Sequence, residues 1–339
     1  MKIIIDAMGG DNAPEAIVKG ALRAKDELGV DLILVGQKEK IEEYLPGASN
    51  EHVEIVDARE IITMEDDPST ATRRKKDSSM AVALTLLKEG RGDAVVSAGS
   101  TGALLTGATL TVKRIRGIRR AALAPVLPAG KHGVMLIDCG ANVECTAEYL
   151  LQFAYMGSYY AKKLMGVDDP KVGLLNVGTE DTKGGELQHR SFALLQEAAQ
   201  EDRINFIGNM EGTDVFAGRA DVVVTDGFTG NVLLKTAEGV IKFMMGAFKD
   251  VFYKSGKNKL AAAVLKNDLK AMKKSLDVNE VGGTALIGIS KPVIKAHGSS
   301  NETSFFAAIR QAVSFVNSGI IDDITENIDY MKIRTDEQP

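Results

Sequence analysis

The chain has 339 residues, of which 45% are hydrophobic and 26% are charged, as is ordinary for a soluble globular protein. Its formal net charge of −5 argues against general nucleic-acid binding, which requires a basic surface. No apolar segment approaches the roughly 20 residues that span a bilayer. The N-terminal segment MKIIID has too few apolar residues before its acidic residue to be a secretion signal. The two cysteines, Cys139 and Cys145, match neither a disulfide framework nor a zinc pattern, which indicates the reducing cytosol.

Short apolar segments alternate with helical patterns along most of the chain. Most of these segments are apolar throughout, which is typical of strands that are covered on both faces. The alternation predicts a single α/β domain over 1–339, with a mostly parallel sheet and helices on both of its faces. The predicted strands are 2–6, 31–36, 53–58, 93–99, 134–140, 171–178, 204–208 and 221–227, and helices are predicted over 14–28 and 78–90, among others.

The alternation stops after Asn231. One helical pattern continues to about Tyr253 and a second covers 255–276 with no strand between them, which predicts a projecting helical hairpin over about 240–276. The second helix has an apolar stripe flanked by lysines, which includes Ala261, Leu265, Leu269, Met272 and Leu276 with Lys266, Lys270 and Lys273. A basic amphipathic helix can lie on an anionic membrane surface or attract an acidic protein. A contact between two copies of the chain would use the same stripe, and these alternatives can coexist.

Six junctions combine the end of a strand, a group of small polar residues and the start of a helix: 6–14, 97–105, 138–145, 176–186, 225–235 and 296–301. Open parallel sheets bind ligands beyond the carboxyl ends of their strands. Helix N-termini present free N–H groups there, which suit phosphate or a developing oxyanion. The sequence therefore predicts a basin for an anion, with these binding residues: Gly9, Gly10, Asp11, Ser100, Thr101, Gly102, Asn142, Thr179, Gly227, Thr229, Gly230 and Ser299.

Three side chains at these junctions could act on a bound anion. Lys183 lies between a strand and a helix, where a flexible cation could reach the basin, although many loop lysines are only solvated. Lys235 is a weaker candidate because a helical lysine usually faces water. His297 follows a predicted strand and is a candidate proton carrier.

The familiar nucleotide motifs are missing. Neither a dinucleotide fingerprint nor a P-loop occurs, and there is no serine-hydrolase elbow. Phosphate or a phosphate-bearing group is therefore a better candidate than NAD or ATP. The acidic pairs show no spacing that suggests a metal cage, so neither a metal nor a cofactor is expected.

These motifs resemble the bacterial phosphate acyltransferase family of phospholipid synthesis, the acyl-carrier-protein:phosphate acyltransferases, over nearly the whole chain. The family usually shows SAGNTGA and KGN, whereas this chain has Ser100 in the first motif and glycine for the asparagine of the second. The resemblance rests on DAMGGD (6–11), RRKKDSSM (73–80), SAGSTGAL (97–104), APVLP (124–128), DCGANVEC (138–145), LLNVGTEDTKG (174–184), VVTDGFTGNVLLKTAEG (223–239) and IKAHGSSN (294–301).

The resemblance implies transfer of a long fatty acyl group from the thioester of acyl carrier protein to inorganic phosphate. The acyl phosphate would then feed a membrane acyltransferase that acylates glycerol 3-phosphate. The implied fold is a three-layer parallel α/β sandwich similar to isopropylmalate dehydrogenase and phosphotransacetylase. The resemblance further implies a homodimer and a cytoplasmic protein that associates peripherally with the membrane surface.

In such a reaction, Lys183 and the 226–231 turn are expected to hold phosphate and the oxyanion of the thioester carbonyl. Asn231 would donate from the helix start, and Asp226 would fix the turn or orient Lys183. His297 would donate a proton to the departing sulfur. Direct attack by phosphate is favoured over an acyl-enzyme, because no activated nucleophile is evident.

Three alternatives remain open from the sequence. A phosphotransacylase acting on short acyl-CoA would use the same chemistry with a different donor. A dehydrogenase could share the fold, although the dinucleotide fingerprint and magnesium ligands are missing. A non-catalytic, membrane-bound scaffold would have no use for six polar junctions, but only an activity assay excludes it.

Overall fold

A computed structural model describes residues 1–45, 51–275 and 282–331. Within them, the strands are β1 Lys2–Asp6, β2 Asp31–Gly36, β3 Val53–Asp57, β4 Ala94–Ser97, β5 Ala122–Ala124, β6 Val126–Leu127, β7 Val134–Ile137, β8 Lys171–Leu175, β9 Asn205–Met210, β10 Val222–Val224, β11 Thr284–Ile287 and β12 Val293–Lys295. All eight predicted strands are present. Several end before their predicted limits, because the terminal glycine and polar residues leave the ladder and form the junctions.

The strands form two sheets rather than one. The first has the order β3-β2-β1-β4-β12-β11-β5, and the second has the order β6-β7-β10-β8-β9. Pairing is parallel except where β11 meets β12 and β5, and where β6 meets β7. The chain passes from β5 of the first sheet to β6 of the second at Pro125, a residue that cannot donate to a ladder.

Helices cover the sheets on both faces, as the alternation of elements predicts. They are α1 Glu15–Leu28, α2 Lys38–Glu42, α3 Ala71–Arg74, α4 Ser79–Lys88, α5 Thr101–Gly107, α6 Ala147–Leu164, α7 Glu186–Gln200, α8 Gly212–Phe216, α9 Gly227–Tyr253, α10 Gly256–Val264, α11 Lys266–Ser275, α12 Glu302–Asn317 and α13 Ile320–Glu326. The largest apolar cluster contains side chains of both sheets together with α1, α6 and α12. Smaller clusters lie against α4 in the first sheet and against the start of α9 in the second.

The segment predicted to form a helical hairpin contains α9, α10 and α11. The only buried residues of α9 are Gly227, Gly230 and Leu234, all near its start, and α10 has no buried residue. The predicted second helix is divided at Leu265, the residue between α10 and α11. Leu276 and the side chain of Lys273 lie outside the described residues. In the part of the chain that is described, no helix has both the length and the apolar character to cross a bilayer.

Candidate active site

A row of polar side chains crosses three neighbouring parallel strands of the first sheet at their carboxyl ends. Asp6 of β1 is in register with Ser97 of β4, which is in register with Lys295 of β12. Residues in register on adjacent strands point to the same face of a sheet. All three side chains are buried, and the Ser97 hydroxyl donates to Oδ2 of Asp6 at 2.6 Å. Strand order therefore brings together polar residues that lie far apart in the sequence.

The loops that follow these strands pack against one another. The N–H of Asp11 donates to the carbonyl oxygen of Gly298 at 2.8 Å. The amide of Asn12 donates to the carbonyl oxygens of Ser299 and Ser300 at 3.2 and 3.1 Å. Gly10 has a φ of +103°, and a Cβ there would lie 2.9 Å from Cβ of Ala98. Glycine is required because the loop after β1 adopts this backbone conformation in contact with the loop after β4.

A cavity of about 480 Å³ opens above this row. It is lined by the loop after β1 (Met8, Gly10, Asp11), the 61–64 loop, the β4–α5 junction (98–101), Lys235 of α9, and Lys295 with residues 297–299. Of the predicted site residues, the cavity brings together Gly10, Asp11, Ser100, Thr101, His297 and Ser299. Gly9 adjoins it through its close contacts with Gly99, whereas Gly102 packs on Pro68.

Lys295 is the main residue of this cavity that sequence reasoning missed. Its side chain is buried, and burial lowers its pKa to about 8 against the attraction of Asp6 and Asp11. Its Nζ donates to the carbonyl oxygens of Ala98 and Ala296. The available signal was a lysine at the last position of an otherwise apolar strand. Lys235, the weaker candidate in the sequence, also lines the cavity and is paired with Glu238 at 2.8 Å.

His297 is exposed at the edge of the cavity, and its orientation fixes which ring nitrogen can donate. Its Nδ1 accepts the backbone N–H of Ser299 at 3.2 Å and lies 2.9 Å from the Ser299 hydroxyl. In the neutral ring the proton is then on Nε2, because Nδ1 is used as an acceptor. Nε2 is therefore free to donate a hydrogen bond at the edge of the cavity.

A second cluster lies at the carboxyl ends of β7 and β10 in the second sheet. The buried carboxylate of Asp138 accepts the N–H groups of Leu123, Ala141 and Asn142, and also the Asn142 side-chain amide. These bonds lower the pKa of Asp138, but burial has the larger effect and raises it. The carbonyl oxygen of Asn142 accepts the N–H of Gly227, at the start of α9. The 138–145 and 225–235 junctions are thus joined by direct contacts.

Asp226 caps α9. Its carboxylate accepts the backbone N–H of Thr229 at 2.8 Å and the Thr229 hydroxyl at 2.7 Å. These bonds fix the turn at the start of α9, which is one of the two roles expected for Asp226. The other expected role was to orient Lys183. Asn231 lies beside Gly140 and, like Lys235 four residues later, is exposed. Because helical residues four apart share a face, α9 connects the second cluster to the cavity of the first.

Lys183 and Thr179 lie in the exposed loop between β8 and α7, outside the cavity. The Lys183 ammonium is 3.8 Å from the carboxylate of Glu180, and the carbonyl oxygen of Lys183 accepts the side-chain amide of Asn176. The interactions that hold Lys183 are thus made within its own loop. The six predicted junctions are divided between the two sheets, with α9 as the link.

Neither cysteine is in an environment that would generate a nucleophile. Burial and the nearby Asp138 carboxylate raise the pKa of Cys139 well above its ordinary value. Burial raises the pKa of Cys145 to about 12. A thiolate attacks and a thiol does not, so an acyl-cysteine intermediate is disfavoured at both positions.

A larger cavity of about 540 Å³ lies at the opposite ends of the strands, where β8 and β9 begin. Its lining includes Tyr155, Asp168, Asp202 and Arg203, and none of the glycine-rich junctions reaches it. The smaller cavity is the better candidate for catalysis, because ligands of parallel sheets bind at the carboxyl ends of the strands.

Comparison with known proteins identifies the family of the chain. Residues 1–323 match the family described as "Fatty acid synthesis protein". The phosphate acyltransferase of Lysinibacillus sphaericus is 47% identical over 336 residues, 98% of this chain and 100% of that protein. The phosphate acyltransferase of a Geobacillus species is 49% identical over 331 residues, 97% of this chain and 99% of that protein.

The fold is also that of a solved phosphotransacetylase from Streptococcus pyogenes. The TM-score is 0.63 at 19% identity, with 94% of each chain covered. This likeness supports the predicted fold class, an α/β protein with parallel sheets flanked by helices. The near-complete match to curated relatives at 47–49% identity carries the functional assignment: the chain belongs to the phosphate acyltransferase family and is an acyltransferase.

Proposed function

We propose that the chain transfers a long-chain acyl group from acyl carrier protein to inorganic phosphate. The observation that carries this proposal is the cavity above Asp6, Ser97 and Lys295, where two lysines and a histidine surround a space at the carboxyl ends of the strands. A doubly charged anion such as phosphate fits these groups. No cofactor is needed, because phosphate is itself the nucleophile.

In the proposed reaction, an oxygen of hydrogen phosphate attacks the carbonyl carbon of the thioester. The carbonyl oxygen carries the negative charge of the tetrahedral intermediate, and the carbon–sulfur bond then breaks. The Nε2–H of His297 donates a hydrogen bond to the departing sulfur, and the proton of the phosphate hydroxyl passes to that sulfur as the carbon–sulfur bond breaks. The products are acyl phosphate and the free thiol of the carrier. Phosphate is anionic near neutral pH, so the protein must position it more than deprotonate it.

The start of α9 is proposed to stabilise the oxyanion. Asn231 would donate its side-chain amide, and Gly227, Thr229 and Gly230 form the helix start that sets its position. Lys183, with Thr179, is proposed to complete the phosphate site from the β8–α7 loop. This part of the proposal requires the loop to approach α9 when substrate binds.

The rival donor is a short acyl-CoA, and the likeness in fold to a phosphotransacetylase favours testing it. The decisive assay is phosphate-dependent thiol release, measured with a long-chain acyl carrier protein and with acetyl-CoA at equal concentrations. We expect release from the acyl carrier protein and formation of acyl phosphate in equal amounts. Release from acetyl-CoA alone would identify the short-chain activity, and release without phosphate would contradict both.

The helical hairpin is proposed to serve the homodimer and the membrane surface, with the downstream glycerol-3-phosphate acyltransferase as a neighbour there. Large apolar side chains of α9 and α10 are exposed, with Phe243 at 76% and Leu260 at 70%. Leu265, Leu269 and Met272 extend this surface, and Lys266 and Lys270 are exposed beside it. A large exposed apolar surface bordered by cations is typical of a partner or membrane contact.

Leu265→Glu tests the membrane role. Leu265 is 41% exposed, and Leu110→Glu is the matched control because Leu110 is 52% exposed outside the hairpin. We expect Leu265→Glu to reduce sedimentation with anionic phosphatidylglycerol vesicles while thiol release in solution is retained. Equal vesicle binding by both variants and the wild type would contradict the membrane role, and analytical ultracentrifugation would report any loss of the dimer.

A further inference from the structure

We infer that Lys295 binds the acceptor phosphate directly and supplies the cationic end of its site. The inference rests on the proposed function and adds to it a residue that sequence reasoning did not select. Lys295 lies at the end of β12, in register with Ser97, and lines the cavity.

The hydrogen bonds of Lys295 leave room for a ligand. An ammonium group has three N–H donors. Two of them are accounted for by the carbonyl oxygens of Ala98 and Ala296. Among the described residues, these two carbonyl oxygens are the hydrogen-bond acceptors of Nζ, and Asp6 and Asp11 act on it only by electrostatic attraction. The third donor is therefore free for a molecule in the cavity that Lys295 lines.

Charge leads to the same conclusion. Lys295 is only 9% exposed, and a buried ammonium without an opposing charge is costly. The carboxylate with the larger electrostatic effect on Lys295 is Asp6. Its Oδ2 accepts the Ser97 hydroxyl, and burial raises the pKa of Asp6, which makes it a weaker counter-ion. A phosphate dianion would supply the opposing charge that the protein itself provides only at a distance.

The pKa of Lys295, lowered by burial to about 8, gives this site a pH signature. Only the ammonium form binds an anion, so phosphate binding should weaken by up to about tenfold per pH unit above pH 8. The groups that face Lys295 are Asp6 from β1, Asp11 from the following loop, Lys235 from α9 and His297. Lys295→Arg distinguishes the contribution of Lys295 to this pH dependence from those of the other groups, because a guanidinium remains charged throughout this pH range.

The test is calorimetric binding of inorganic phosphate to the full chain between pH 7 and 9.5, without any acyl donor. Lys295→Met should weaken phosphate binding by about 10- to 100-fold at pH 7, as expected for losing a charged hydrogen bond. Lys295→Arg should bind phosphate with an affinity within about tenfold of that of the wild type at pH 7. Its phosphate affinity should not decline above pH 8. Lys291→Met is the matched control, because Lys291 lies at the other end of β12 and donates to the carbonyl oxygen of Leu87.

Phosphate affinity of Lys295→Met equal to that of the wild type would overturn the inference, and so would a wild type that binds no phosphate. If Lys295→Met does not fold by circular dichroism, the pH profile of Lys295→Arg decides, and an unchanged alkaline decline would overturn the inference. Because no acyl group is present, a failure of the proposed acyl-carrier-protein reaction is scored separately in the thiol-release assay.

Discussion

Gly230, in the first turn of α9, should not tolerate even one added carbon. A Cβ at this position would lie 2.0 Å from the carbonyl oxygen of Asp138 and 2.9 Å from Cγ2 of Thr225. Side-chain Cβ atoms essentially never approach another atom closer than 3.0 Å, so the helix start or the 138–142 turn would have to move by about 1 Å. The obstructing atom belongs to the backbone, and no change of rotamer relieves the contact.

Two terms set the size of the effect of Gly230→Ala. Alanine is better than glycine in a helix by about 1 kcal/mol. Overpacking costs about 1–3 kcal/mol, and a backbone contact belongs to the upper part of that range. We therefore expect the free energy of unfolding to fall by about 1–2 kcal/mol. Gly239→Ala is the control, because Gly239 lies in the same helix with no atom within 4 Å of its added Cβ, and it should gain about 1 kcal/mol.

Urea unfolding followed by circular dichroism gives both free energies, at one protein concentration because a dimer would make stability depend on it. Thiol release should also fall for Gly230→Ala, since Asn231 and Lys235 move with the helix start, and remain near wild type for Gly239→Ala. If the free energy of unfolding of Gly230→Ala equals that of Gly239→Ala, then α9 does not pack against the 138–142 turn as closely as described.

Two further outcomes follow from buried ionisable groups. Burial raises the pKa of Asp6 above 3.8, so its contribution to stability is complete below that pH and is lost as the pH rises through the folded-state value. The stability of Asp6→Asn relative to the wild type should therefore increase between pH 4 and 7 in urea unfolding, and a difference that is constant or decreases would contradict the raised pKa. Cys145→Ala should keep a kcat of the wild-type order, because burial keeps the thiol protonated, whereas losing a catalytic nucleophile lowers kcat by orders of magnitude. A large loss, or an acylated Cys145 in mass spectra of the reacting wild type, would restore the acyl-enzyme mechanism.

Most of the strands could be predicted because a strand buried on both faces needs an uninterrupted apolar segment, whereas β3 and β9 are only partly buried and contain polar residues. The sequence did not reveal that these strands are shared between two sheets. That division depends on which strands pair, and pairing is decided by contacts between distant segments. The short strands β5 and β6 on either side of Pro125 carry the transition, and two or three apolar residues give no recognisable pattern on their own.

The site shows the same limit at the level of single residues. Glycine-rich junctions are recognisable because glycine is required where loops touch, as at Gly10 and Gly230. Lys295 is not recognisable from the sequence as a site residue, since a lysine is normally expected to be exposed. It becomes a buried cation only because β12 pairs with β4, which pairs with β1. The cavity therefore brings together some residues of the predicted anion basin and adds Lys295 to them, whereas Lys183 lies in a separate loop.

The position of α9 explains why the two clusters can serve one reaction. Its first turn is fixed on the 138–142 turn by the bond from Gly227 to Asn142 and by the close approach at Gly230. Asn231 and Lys235 then follow on one face, about 6 Å apart along the axis. Lys235 lines the cavity of the first cluster, and Asn231 lies beside Gly140 of the second. In the proposed mechanism, a single helix would hold one group near the phosphate and another near the carbonyl that it attacks, so the packing of a glycine in its first turn would set the alignment of both substrates.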